Sequence, residues 1–280
     1  METPYFELAT RVADLFAERP EVESVALSGS LGSSHIDAVS FTDAASDIDL
    51  YVYTRSDIPL DARHEIMRRA GGASRADMGL NYWGPGDEWF DAATGIEVDI
   101  IYFDAGWMED QINRVMRDHR PSLGYSTCFP FTIRNSRVFH DPQGWCAALQ
   151  GVSQQPYPGV LRENIICHNH PVLRKIIPSY FFQLEKAVKR GDLVSVNHRL
   201  AGLLVSYFDI LFALNYQLHP GEKRMVQKVV SSCEVLPENM EMEVAAVLSA
   251  STTSDEDLLG QLSILLDHLD ELLVRQGFEL

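Results

Sequence analysis

Two carboxylates, Asp47 and Asp49, stand one residue apart at the head of the run Ser46-Asp47-Ile48-Asp49-Leu50-Tyr51-Val52-Tyr53, and a third lies inside Ile96-Glu97-Val98-Asp99-Ile100-Ile101-Tyr102. Side chains on a strand alternate faces, so Asp47 and Asp49 project from one side while Ile48, Leu50 and Val52 enter a core. Such a pair suits Mg2+, a hard ion that usually takes one or two carboxylates plus substrate phosphates. A third carboxylate on a neighbouring strand can bridge a second ion ~3.5–4 Å from the first. Asp99 is the candidate for that place. Upstream, Val25-Ala26-Leu27-Ser28-Gly29-Ser30 reads as a strand that turns sharply at Gly29. Backbone N–H groups and the Ser30 hydroxyl then face an anionic phosphate tail. Gly32-Ser33 offers a second Gly-Ser pair, but Gly29 and Ser30 directly follow the apolar strand. Ser46, beside Asp47, completes the candidate nucleotide-binding set. Metal at one end and phosphate at the other describe a nucleoside triphosphate.

These elements are Gly-Ser after the first strand, Asp-x-Asp on the next, and a third Asp on a later strand among apolar residues. In that order they resemble the nucleotidyltransferase superfamily of the DNA polymerase β type, over roughly residues 20 to 142. The seventeen residues Leu31 to Asp47 make a longer interval than the family usually has, and His35 to Asp43 within it is expected to form a flap. The resemblance implies two Mg2+ ions held by Asp47, Asp49 and Asp99, and an NTP, ATP in the first instance, as co-substrate. AMP would pass to an acceptor hydroxyl and pyrophosphate would leave. Asp99 would complete the acceptor-side metal and take the hydroxyl proton, with Glu97, two residues away on the same face, as a reserve base.

The elements around these residues read as α/β. Phe6, Ala9, Val12, Ala13 and Phe16 recur at helical spacing and Pro20 follows, giving a helix before the Val22 to Ser28 strand. Asp61 to Ala70 is a short helix closed by Gly71-Gly72, and Met78 to Trp83 a strand that Gly84-Pro85-Gly86-Asp87 breaks. The strand 96–103, a helix over 108–117 and a strand over 137–140 complete an α/β catalytic domain with a mixed sheet, residues 1–152. The run Ser153-Gln154-Gln155-Pro156-Tyr157-Pro158-Gly159 marks the junction to an all-α domain, 153–280. Helices are expected over 180–190, from an Asp192 cap to Leu218, and from about Ser254 onward. That last helix carries Leu258, Leu262, Leu265, Leu266, Leu269, Leu272 and Leu273 on one face. Cys167-His168-Asn169-His170 lacks a partner ligand pair for zinc and reads as turn residues before Pro171.

An α/β half followed by a helical half is the layout of antibiotic nucleotidyltransferases acting on aminoglycosides and lincosamides. In those enzymes the helical half gives cations to the triphosphate, and His219-Pro220-Gly221-Glu222-Lys223-Arg224 is the segment similar to that part. Lys223 and Arg224 are therefore candidate nucleotide ligands. Trp83, Glu88 and Trp89, in an acidic and aromatic loop with Asp87, are candidates for the acceptor.

Net charge is -17, from 40 acidic against 23 basic residues, which disfavours tRNA or DNA as partner and favours a small, cationic hydroxylated acceptor. The four cysteines show no C-x-x-C spacing and are expected reduced, in a cytoplasmic protein without signal peptide or membrane span. Two rivals stand beside small-molecule modification. One is AMP transfer to a protein hydroxyl; the other is a catalytically silent nucleotide-binding or partner-binding module. Oligomeric state is open.

Overall fold

The structure is a computed structural model that describes residues 4–29, 47–252 and 256–280. The expected flap over 35–43, with Ser30 and Ser46, lies outside these residues. The chain divides into two units, Met1–Arg114 with Phe129–Gln155 and Val115–Cys128 with Pro156–Leu280.

The first unit is α/β. Helix α1 (Pro4–Ala17) leads into β1 (Val22–Leu27), then come β2 (Ile48–Thr54), α2 (Leu60–Arg69), β3 (Ala73–Leu80), β4 (Gly86–Asp91), β5 (Glu97–Asp104), α3 (Ala105–Met116), α4 (Cys128–Asn135), β6 (Arg137–His140) and α5 (Trp145–Ser153). The six strands form one mixed sheet in the order β3-β4-β5-β2-β1-β6. β2 and β5 run parallel, and the other neighbours are antiparallel. Alternation decides the faces. Val25, Leu27, Leu50, Val52, Val98, Ile100 and Tyr102 turn to one side and pack with Leu8, Val12 and Phe16 of α1 and Ile66 of α2. Burying such side chains contributes roughly 1.5–3 kcal/mol each, which fixes the strand register, because a one-residue slip would expose them all. Part of the opposite face is covered by an aromatic group: Tyr53 and Trp145 lie 4.9 Å apart, Phe103 and Trp107 5.9 Å, and Trp107 and Phe129 5.1 Å.

The strand expected over 78–83 is displaced. β3 starts earlier, at Ala73, and the chain break is confined to 81–85, after which β4 begins at Gly86. A Cβ at Gly86 would lie 2.9 Å from the Ile100 carbonyl oxygen, so glycine here permits close strand pairing rather than ending a strand. Asp87 is accordingly buried, not a loop carboxylate. It accepts from Tyr102 Oη (2.7 Å), Gly79 N (2.7 Å) and Arg63 Nη1 (3.2 and 3.3 Å), which is how a buried acid is tolerated.

The second unit is helical: α6 (Gly159–His170), a π-helical turn (Pro171–Lys175), α7 (Tyr180–Lys189), α8 (Leu193–Leu214), α9 (Met225–Ser232), α10 (Met240–Ala250) and α11 (Glu256–Arg275). The Asp192 carboxylate caps α8, accepting from Ser195 N at 3.1 Å. α8 ends before Leu218 because the Asn215 side chain takes over its last turn. It donates to the Leu211 and Val235 carbonyls and accepts from Glu234 N and Val235 N. The leucine stripe of α11 is buried throughout. Cys167 to His170 are not turn residues: they finish α6, and Asn169 is a buried connector. Its amide donates to the Ser122 carbonyl and the Asp209 carboxylate, and its oxygen accepts from Gly124 N. No helix among the described residues is long and apolar enough to cross a membrane.

Gly124 is held where no other residue fits, with φ at +72° and Val205 Cγ1 only 1.9 Å from where a Cβ would stand. Left-handed backbone costs about 1–2 kcal/mol outside glycine, and overpacking about 1–3 more. Gly124→Ala is expected to lose roughly 2–5 kcal/mol in urea unfolding, and a loss below ~1 kcal/mol would mean that the loop relaxes freely.

Candidate active site

Parallel pairing of β2 with β5 sets Asp49 directly beside Asp99, and antiparallel pairing of β5 with β4 sets Glu88 on the other side of Asp99. Asp77 of β3 pairs with Glu88, so one row across four strands reads Asp77, Glu88, Asp99, Asp49. Their neighbours Ile48, Leu50, Val98, Ile100 and Trp89 are buried on the opposite face, whereas Asp49 and Asp99 are half-buried and Glu88 exposed. Asp47 comes just before β2 and is also half-buried.

The turn after β1 is built against this row. Ser28 N donates to the Asp49 carbonyl at 2.9 Å, continuing the ladder for one residue, and Gly29 then takes φ +60°. A Cβ on Gly29 would stand 1.8 Å from Asp49 Oδ2 and 2.7 Å from its Cγ, so the Asp49 carboxylate lies over the bare α-carbon. Glycine is required here twice over, by its backbone angle and by the carboxylate above it. The strand-turn-carboxylate motif read from the sequence is thus one packed feature.

Burial, and next the negative charges of Asp49 and Glu88, push the Asp99 carboxyl up to about 6, with smaller contributions from Asp47 and Glu97. The unfolded side chain titrates near 4, so the folded state holds this proton more tightly. The stability tied to Asp99 is therefore fully present below about pH 4 and is lost as pH rises through about 6. Without added metal, the melting temperature of the wild type should fall across pH 4–6 relative to Asp99→Asn. Parallel curves for the two would remove the repulsion from the account.

Hard oxygen donors from adjacent strands are the right chemistry for Mg2+. Among the described residues, no three His, Cys, Asp or Glu side chains already stand close enough together to hold a metal ion. Mutual repulsion keeps neighbouring carboxylates apart, and Mg2+ takes few protein ligands when phosphate oxygens and water fill its remaining places. Asp47, Asp49 and Asp99 have the donor chemistry the ion takes without forming a finished cage.

Trp83 is 97% exposed at the tip of the β3–β4 hairpin, its ring 6.0 Å from that of Tyr82. Trp89 does not fit an acceptor role. It is 2% exposed, because alternation along β4 sends it into the core while Glu88 faces out. Lys223 and Arg224 belong to the second unit, directly before α9. Lys228, one helical turn after Arg224, was not singled out from the sequence, where its i, i+4 spacing from Arg224 marks only a shared helix face and not its half-burial.

A family model described as a domain of unknown function (DUF4037) matches residues 130–225, from the first turn of α4 to the first residue of α9. No curated protein matches the chain. Among solved structures, the chain is similar to a nucleotidyltransferase-like protein from Exiguobacterium sibiricum 255-15. The identity is 12% and the TM-score 0.44, over 96% of this chain and 75% of that one.

Proposed function

We propose that this chain is a metal-dependent nucleotidyltransferase that moves AMP from ATP to a hydroxyl of a small, amine-bearing acceptor and releases pyrophosphate. The observation that carries the reading is the placement of Asp49 beside Asp99 with its carboxylate packed over Gly29. Mg2+ bound to these carboxylates would neutralise triphosphate charge and make an acceptor hydroxyl easier to deprotonate. Asp47 and Asp49 orient the triphosphate, with its tail against the Gly29 turn. The acceptor oxygen bonds to the α-phosphorus as the bond to the β-phosphate's bridging oxygen breaks, and the hydroxyl proton passes to Asp99. Glu88 continues the carboxylate row and supplies a counter-charge for an acceptor amine, with Trp83 as a reserve contact. Lys223 and Arg224 are the cations that the resemblance assigns to a triphosphate.

A net charge of -17 supports a small cationic acceptor over a polyanion. The test is a panel: labelled ATP and Mg2+ with, separately, aminoglycosides, a lincosamide, total tRNA and a cell lysate. Label on an amine-bearing small molecule is the expected result. Label on tRNA alone would overturn the acceptor class, and label on a lysate protein would replace it with protein modification.

A further inference from the structure

β3 is the long edge of the sheet, with eight residues against four in β6 at the other edge. An edge offers backbone N–H and C=O groups to another strand, and proteins commonly blunt it with proline, lysine or bulges. β3 has no proline or lysine, and its register shifts lie on either side of the stretch 75–77. Ser74, Arg75, Ala76 and Asp77 are exposed, and their hydrogen bonds run only to β4 and to one another. The charges on this strand are Arg75 and Asp77, opposite in sign and two residues apart, hence on one face, with Nη2 3.2 Å from Oδ2. Their side chains are 74% and 53% exposed, so each can take a second partner.

Opposite charges at i and i+2 select a register. Two identical strands that pair antiparallel are related by a two-fold axis. With the axis at Ala76, Arg75 faces Asp77 of the second copy and Asp77 faces its Arg75, so two attractive cross-strand pairs form on one face. The small Ala76 meets its own counterpart between them. Axes at Arg75 or at Asp77 would set like charges face to face. The shifts between Ala73 and Arg75 and between Asp77 and Leu80 confine regular pairing to the few residues between them. The contact is therefore short, and its exposed ion pairs make the association weak and reversible.

We propose that β3 is a homodimer interface: a second copy of this chain adds its own β3 antiparallel, in the register centred on Ala76, and joins two six-stranded sheets into one. The pairing continues the row Asp49, Asp99, Glu88, Asp77 into Arg75 of the second copy. Each copy thus ends the other's row of repelling carboxylates with a cation. The interface does not depend on the reaction proposed above.

Sedimentation equilibrium of the full chain tests it at physiological salt, where a Debye length of about 8 Å screens the net charge of -17 on each copy. The wild type is expected to dimerise reversibly. Arg75→Asp leaves acids facing acids across the axis, and Asp77→Arg leaves arginines facing arginines. Each should weaken dimerisation by about tenfold or more. An equimolar mixture of the two variants should recover the dimer as a heterodimer, and the doubly substituted Arg75→Asp/Asp77→Arg chain should recover it alone, because attraction returns at both pairs. Both positions are exposed, so the variants should melt near the wild type, and either one tests the register should the other not fold. A wild type that stays monomeric overturns the proposal. So does a dimer that both single substitutions leave unchanged, which gives the interface to another face, or one that neither the mixture nor the double variant recovers. Slower amide exchange over residues 74–78 in the dimer supports the strand, and equal exchange there in monomer and dimer overturns it.

Discussion

Asp49→Ala is expected to abolish Mg2+-dependent turnover of ATP while leaving the protein folded. Asp49 is half-buried, borders the Gly29 turn and is the register partner of Asp99, so it stands at the centre of every interaction assigned to the site. Metal ligands supply several kcal/mol of charge stabilisation in the transition state, which corresponds to a rate loss of about a thousandfold or more. The apo fold should not suffer, because the variant removes one of the charges that raise the Asp99 pKa. Pyrophosphate release gives the activity, and melts with and without Mg2+ and a nonhydrolysable ATP analogue give the ligand-induced shift. An equal shift in variant and wild type would remove Asp49 from the site.

Gly29→Ala carries the second large effect, and it reaches both stability and activity. Left-handed backbone outside glycine costs about 1–2 kcal/mol. The added methyl cannot coexist with Asp49 Oδ2 at 1.8 Å, so the carboxylate must rotate away or the turn must open. Either movement takes Asp49 out of line with Asp99, and turnover should fall as far as it does in Asp49→Ala. The two substitutions are in direct contact and should not add. In an Asp49→Ala background the clash is relieved, leaving the 3.1 Å approach to the residue-49 Cβ, so Gly29→Ala should cost less stability there than in the wild type. A double-mutant cycle by denaturant unfolding measures this. Full additivity would show that the carboxylate does not rest on the glycine.

The alternation of Ile48, Leu50 and Val52 with Asp49, and of Val98 and Ile100 with Asp99, was enough to place both acids on one face of a sheet. Which strands are neighbours was not legible, since β2 and β5 are separated in sequence by α2, β3 and β4. Glu88 therefore looked like part of a loop, although pairing makes it a neighbour of Asp99. The error at Trp89 has the same origin: two glycines and a proline over 84–86 read as a break, but Gly86 is where the sheet needs a residue without a side chain. In the helical unit, periodicity and caps located α7, α8 and α11. Buried polar connectors such as Asn169 and Asp209 leave no periodic trace, because only tertiary pairing with 122–126 explains them. Lys228 was hidden for a related reason, since half-burial of a lysine on a short amphipathic helix is decided by neighbours that the sequence does not name.

The most direct test of the central claim is a crystal structure with a nonhydrolysable ATP analogue and Mn2+ in place of Mg2+, with data collected at the manganese absorption edge. The account predicts anomalous density bounded by Asp47, Asp49 and Asp99, with the analogue's phosphates against the Gly29 turn. Nucleotide bound elsewhere on the chain, with no metal peak at these three carboxylates, would contradict it.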